Sequence, residues 1–352
     1  MSVWRRACSW VVDRAGLQAL TYPVPPWANT IPFTLGGISF VSFLFLALSG
    51  FWLTQFYSPL PDGARTSVLY IQDQAPLGGF VRGIHFWLAN IVVITVFLHV
   101  LRVFATASFK RPRELNWLVG VVLLAITLAF ALTGTVLKWD QEAVEALNHN
   151  LELADLVGGF AVFFSASFTE AVPVLARLYS AHVSTLPLLA VLVMVAHFFL
   201  IKHHGISPLP ELADRGEAPA GTVPEARLTA RYSGHLGRMF GFGALLAVVA
   251  AVLGLVLPPP IGPVADPDME VTKPPFYFYW LYAAEDWFGV RAVLYGGVVF
   301  FVLLVLVPFV DRSPLRALRR RPVMFAMGAL VLVALVALSL LVALTPPVKH
   351  GE

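Results

Sequence analysis

The chain has 352 residues, 58% hydrophobic and 13% charged, with a mean hydropathy of +0.77. Soluble domains carry about a quarter charged residues, so an ordinary soluble enzyme is excluded. The 24 Lys and Arg nearly balance the 21 Asp and Glu, which argues against a nucleic-acid partner, and the single Cys8 excludes an internal disulfide framework.

In chain order, residues 1–20 form an amphipathic stretch with Arg5, Arg6, Asp13 and Arg14. It lacks an apolar core followed by a small-residue cleavage site, so it is read as a surface helix and not as a signal peptide. Seven apolar runs follow, at about 33–57, 80–106, 116–138, 174–201, 237–257, 291–310 and 322–344, each long enough to cross a ~30 Å hydrocarbon layer. The predicted fold is an all-α membrane protein. Between the fourth and fifth runs, 205–231 carries Pro208, Pro210, Pro219 and Pro224 among charges and reads as a linker. The predicted organisation is a four-helix domain with its surface helix over 1–204, a linker over 205–235 and a three-helix domain over 236–352. Segments 139–173 and 258–289 are long for connections and are expected to carry function. Placing the N-terminus inside collects 16 of the 24 basic residues on the inner side, so the N-terminus is expected in the cytoplasm and the C-terminus outside. The outer segments are acidic, with Asp140, Glu142, Glu145, Glu285 and Asp286 among their carboxylates.

Of nine histidines, His149, His203, His204, His235 and His350 are expected in solvated or interfacial positions. The other four lie inside spans. His85 and His99 stand 14 residues apart on the second, and His182 and His197 stand 15 apart on the fourth. At about 100° and 1.5 Å per residue, the first pair lies within about 40° of one face and the second within about 60°. Both spans run in the same direction, so His85 should meet His182 near the outer surface and His99 should meet His197 near the inner one. Single intramembrane histidines often serve as interhelical hydrogen bonders or proton relays. Two depth-matched pairs suit haem iron, which needs two axial ligands, better than zinc, which usually takes four. Gly36 and Gly50 on the first span, and Gly120 and Gly134 on the third, repeat the 14-residue interval and would let a flat macrocycle approach the backbone. Arg82 and Arg102 lie one turn outward of their histidines, where haem propionates would sit.

These residues resemble the cytochrome b family of quinol-oxidising bc and b6f complexes over nearly the whole chain. The run Arg177-Leu-Tyr-Ser-Ala-His182, with Leu186-Pro187 and His197 through Lys202-His-His-Gly205, is close to the b6-type segment, as are the 15-residue interval and Trp139-Asp140-Gln141. The last three spans resemble that branch's subunit IV, here fused to the first part. The resemblance implies two non-covalent b-type haems on His85/His182 and His99/His197, with Arg82, Arg102 and Arg177 and the four glycines around them. It implies quinone sites at Trp139, Asp140, Pro274, Pro275, Phe276 and Tyr277 on one side and at Lys202 on the other. It also implies a Rieske iron-sulfur protein, a c-type cytochrome or another redox subunit as partner, a dimeric complex, and a bacterial or archaeal plasma membrane.

Four departures stand out. Pro274-Pro275-Phe276-Tyr277 replaces Pro-Glu-Trp-Tyr and so lacks the carboxylate that would accept a quinol proton; Glu285, Asp286, Asp140 and Glu142 are the candidate substitutes. Lys138 replaces a proline, and Thr135 stands where many relatives carry an aromatic. Thr34 occupies the position of the cysteine that anchors an additional haem, so no covalent third haem is expected. The leading expectation is a dihaem electron carrier between quinone sites in a respiratory or photosynthetic quinol:cytochrome c or plastocyanin-type oxidoreductase. The alternatives are a dihaem anchor wiring a non-Rieske peripheral oxidoreductase to quinone, and a transporter whose histidines relay protons.

Overall fold

A computed structural model describes residues 3–218, 221–266 and 272–347. Pro219 and His350 lie outside the described residues. A surface helix α1 (Val3–Arg14) precedes α2 (Ile31–Leu53), α3 (Pro61–Asp73), α4 (Gly78–Ala105), α5 (Glu114–Val136) and α6 (Gln141–Val157). Next come α7 (Val174–Ser180), continuous through one π-helical turn at Ala181–Thr185 with α8 (Leu186–His204), and the short α9 (Pro210–Asp214). The remainder is α10 (Tyr232–Val256), α11 (Tyr279–Phe288), α12 (Val290–Val310) and α13 (Pro322–Leu344). Among the described residues, helices α2, α4, α5, α7 with α8, α10, α12 and α13 are the seven long and apolar enough to cross a membrane. Their starts precede the apolar runs by up to five residues, as at Tyr232, because helical hydrogen bonding continues into interfacial residues that hydropathy leaves out.

The long connections are structured. Helix α6 occupies the 139–173 segment and α11 the 258–289 segment, so what sequence pattern marks as loop is partly short helix. Residues Pro23–Val24 and Ala230–Arg231 form a two-stranded antiparallel ribbon that ties the chain before α2 to the linker before α10. Helix α10 packs on α2 and α4, α12 on α5, and α11 joins α12 to α13.

Two contacts fix this packing. At the α4–α10 crossing the backbones nearly touch: a Cβ on Gly83 would lie 2.8 Å from the Cα of Gly254, and one on Gly254 would lie 2.8 Å from the Cα of Gly83. At the basic end, buried Asp311 accepts Lys110 Nζ at 2.7 Å and Arg321 Nη1 at 2.6 Å. Arg321 also donates to the carbonyls of Phe104 and Ala105, and Arg316 donates to those of Ala107 and Arg111. Phe104 and Ala105 close the last turn of α4 and Ala107 and Arg111 follow it, so the cations bind the end of α4 to the α12–α13 connection. Replacing Gly254 with valine is expected to prise α10 off α4 at a cost of about 1–3 kcal/mol. Thermal unfolding of the detergent-solubilised protein measures this, and an unchanged Tm would contradict the tight crossing.

Candidate functional site

Helix α4 presents His85 near one end and His99 near the other, and the α7–α8 rod presents His182 and His197. The rings of His85 and His182 face each other with centroids 6.5 Å apart. Two imidazoles bound to one metal through bonds of about 2 Å would have centroids roughly 6 Å apart, so this spacing leaves room for one iron between them. His99 and His197 are close enough to act on each other electrostatically. A regular α-helix with an interval of 15 would set these two residues about 60° apart. His182 lies in the π turn at Ala181–Thr185, where each turn takes up an additional residue, so 15 residues here span what 14 span on α4. Pro187, whose ring nitrogen donates no hydrogen bond, follows directly.

Each ring lies over one of the predicted glycines. A Cβ on Gly36 would stand 2.8 Å from His99 Cε1, on Gly50 3.2 Å from His85 Cε1, on Gly134 3.1 Å from His182 Cε1 and on Gly120 3.6 Å from His197 Cε1. A methyl would therefore clash at Gly36, be tight at Gly50 and Gly134 and fit at Gly120. Two hydroxyls that sequence reasoning missed complete one pair: Ser49 Oγ lies 3.0 Å from His85 Nδ1, and Thr133 Oγ1 lies 2.8 Å from His182 Nδ1. The signal was available as Ser-Gly and Thr-Gly dipeptides at the two ring contacts. His99 Nδ1 and His197 Nδ1 are buried with no hydrogen-bond partner; the latter points toward the Asn116 backbone outside bonding geometry.

The arginines divide. Arg102 is available: its Nε is buried and unpartnered, and its guanidinium stacks 3.8 Å over the Phe33 ring. Arg82 instead donates to Gln72 Oε1 at 2.7 Å and to the carbonyls of Pro259 and Pro260 at 3.0 Å, so it anchors the 258–263 segment against α4. Arg177 donates to the carbonyls of Phe163 and Ser165 and keeps an unpartnered Nε. Lys202 holds its ammonium 3.3 Å from the Tyr22 ring centroid. It lines a cavity of about 300 Å³ with Tyr22, His203, His204, Gly205 and Thr222 at the basic end. Thr34 is buried, with its hydroxyl on the carbonyl of Ile31. His235 is also buried, its Nδ1 2.7 Å from the Ala28 carbonyl, and so departs from the solvated position expected of it.

At the acidic end, Trp139 adopts a left-handed backbone (φ 54°) that stops α5, and Asp140 then caps α6 by accepting from Ala143 N. This tight reversal brings Lys138, Asp140 and Glu142 together. Asp140 is 1% exposed and also accepts from Gly262 N at 2.8 Å, so both its oxygens serve the fold. Glu285 is buried and paired with His149 Nε2 at 2.9 Å. Asp286 has a partner of its own. Glu142 is paired with Lys138 and acts on the hydroxyls of Tyr277 and Tyr279. Burial raises its pKa above the usual carboxylate range against the opposing pull of Lys138. Burial, followed by the charge of Glu142, likewise pushes Tyr277 up, with Thr135 beside it. Next to this cluster an apolar cavity of about 180 Å³ opens among Leu128, Leu132, Phe278, Trp280, Phe300 and Phe301.

A bundle of apolar helices whose buried imidazoles face glycine-bearing helices suits a haem protein. The chain belongs to the cytochrome b family: residues 20–205 match cytochrome b/b6/petB and residues 265–350 match cytochrome b(C-terminal)/b6/petD. It is 38% identical to cytochrome b6 of Euglena gracilis over 211 residues, which is 57% of this chain and 98% of that protein. It is 39% identical to cytochrome b6 of Gloeobacter violaceus over 207 residues, 56% of this chain and 96% of that one. A solved structure described as a hyperthermophilic respiratory Complex III superposes with a TM-score of 0.77 at 25% identity, covering 96% of this chain and 91% of its own. The chain is thus a multi-pass, b-type haem-binding cytochrome b subunit of a quinol oxidoreductase, as its buried imidazoles and glycine cradles suit. Gly36→Ala, which drives a methyl into the His99 ring, is expected to lower haem content, and Gly120→Ala to leave it unchanged. A pyridine haemochrome assay distinguishes the two; equal haem content in both would contradict the cradle.

Proposed function

We propose that His85 and His182 hold one b haem and His99 and His197 a second, and that the chain conducts electrons between quinone sites on opposite membrane faces. The observation that carries this reading is the approach of the His85 and His182 rings together with the seating of all four imidazoles against four glycines. Each haem iron would supply a one-electron couple; the protein supplies ligands, a dry surround and proton handling. Arg102, with its free Nε, suits a propionate of the haem at the basic end. Arg82 is committed to carbonyls, which leaves Arg177 better suited at the acidic end.

The acidic-end cavity is the quinol site in this reading. Leu128 and Leu132 offer apolar walls from one face of α5, which Thr135 extends to the polar cluster. Glu142 replaces the carboxylate missing from Pro274-Pro275-Phe276-Tyr277. Burial raises its pKa and its charge acts on the Tyr277 hydroxyl, whereas Asp140 and Glu285 are engaged in holding α6. The Lys202 cavity suits quinone at the other end. Asp140 to Glu285 would face outward and Lys110 to Arg321 inward, by the preference of cationic loops for the cytoplasmic side. This orients the chain in a bacterial or archaeal plasma membrane with its N-terminus inside, and divides it at the 205–235 linker into a haem-binding and a subunit IV-like part. A Rieske protein or c-type cytochrome, in a dimeric complex, would take the other quinol electron.

Glu142 accepts a proton only when ionised, so quinol oxidation is expected to fall as pH drops through its raised pKa. Glu142→Gln is expected to cut turnover roughly 10²-fold or more, within the range of general acid–base catalysis, with haem bands intact. Quinol:cytochrome c reductase assays of the purified complex across pH test this. Wild-type turnover in the variant would discard Glu142. Absence of any high-potential partner from an active complex would favour the anchor alternative, which the altered motif also motivates.

A further inference from the structure

We infer that Ser49 and Thr133 are positioning residues that lower the reduction potential at the His85/His182 pair relative to the His99/His197 pair. The inference rests on the ligand assignment proposed above. Ser49 Oγ lies 2.9 Å from the Phe45 carbonyl and 3.0 Å from that of Leu46, and Thr133 Oγ1 lies 2.7 Å from that of Ala129. A hydroxyl has one proton, and these carbonyls, which can only accept, take it. With iron on Nε2 each ring carries its proton on Nδ1, so the oxygen accepts from the ring and the 3.0 Å and 2.8 Å contacts are donated by His85 Nδ1–H and His182 Nδ1–H.

Hydroxyls of membrane helices commonly bond back to their own carbonyls, as Thr127 does to Leu123. What sets Ser49 and Thr133 apart is the second bond, to a buried imidazole. A hydrogen bond accepted from Nδ1–H makes the ring a more basic ligand. That favours the more highly charged ferric iron and lowers the potential. At the other pair the residues before the glycines are Leu35 and Val119, which carry no hydroxyl, and neither Nδ1 has a hydrogen-bond partner. The asymmetry is written as Ser49-Gly50 and Thr133-Gly134 at one end against Leu35-Gly36 and Val119-Gly120 at the other. It makes transfer from the acidic end to the basic end downhill.

Spectroelectrochemical titration of the purified complex tests this with Ser49→Ala and Thr133→Val, singly and together. Each single variant is expected to raise one haem potential by about a tenfold change in the reduction equilibrium, about 59 mV for one electron, and to leave the other in place. Ser49→Thr and Thr133→Ser keep the hydroxyl and are expected to keep the wild-type potential, which separates hydrogen bonding from packing. Two haem signals with neither moved, or both moved equally, would overturn the inference while leaving the ligand assignment standing. A wild-type protein without two b-type signals would overturn both. If the double variant loses haem, the singles and the hydroxyl-keeping variants still decide the outcome.

Discussion

Everything in this molecule depends on holding imidazoles against bare backbone inside a hydrocarbon layer. A histidine ring in that setting has no water to satisfy it, and a methyl group on the facing helix would clash with it at Gly36 and crowd it at Gly50 and Gly134. The glycines on α2 and α5 are therefore the counterpart of the histidines on α4 and the α7–α8 rod. Neither set makes sense alone, and together they fix which helices are neighbours, in which direction they run and at what depth the rings sit. The rest of the bundle secures that arrangement. Gly83 and Gly254 let α10 close on α4, while Asp311, Lys110 and Arg321 lock the far end of α4 to the connection between α12 and α13.

The π turn shows how finely the register is held. A rod carrying His182 and His197 at 15 residues would turn one ring away from its partner on α4 if it were α-helical throughout. One widened turn at Ala181–Thr185 absorbs the additional residue beside His182 itself. Helix geometry has been adjusted where the ligand sits and left regular for the nineteen residues that follow.

Much of this was legible in the sequence because the signals are periodic. Seven apolar runs yielded seven helices, and the histidine and glycine intervals placed four rings over four glycines. The illegible parts are those where long-range contacts decide. Arg82 has the spacing of a propionate partner, yet its guanidinium is taken by Gln72, Pro259 and Pro260, the last two more than 170 residues away in sequence. Among the acidic candidates, composition could not separate Glu142 from Asp140. That distinction required the left-handed Trp139, after which Asp140 caps α6 and Glu142 pairs with Lys138. His235, read as interfacial, is buried because the ribbon between Pro23–Val24 and Ala230–Arg231 folds the linker back over α2.

The altered Pro274-Pro275-Phe276-Tyr277 segment fits the same logic. Its tyrosine stays beside Thr135, and in the proposed reading the carboxylate comes from α6, with Lys138 as its counter-ion. The central claim concerns the four histidines, and haem stoichiometry combined with a redox titration of the purified full-length chain tests it most directly. Two b-type haems per chain, reduced in two separate one-electron waves, is the result the account predicts. A single haem per chain, or two that survive replacement of both His99 and His197, would contradict it.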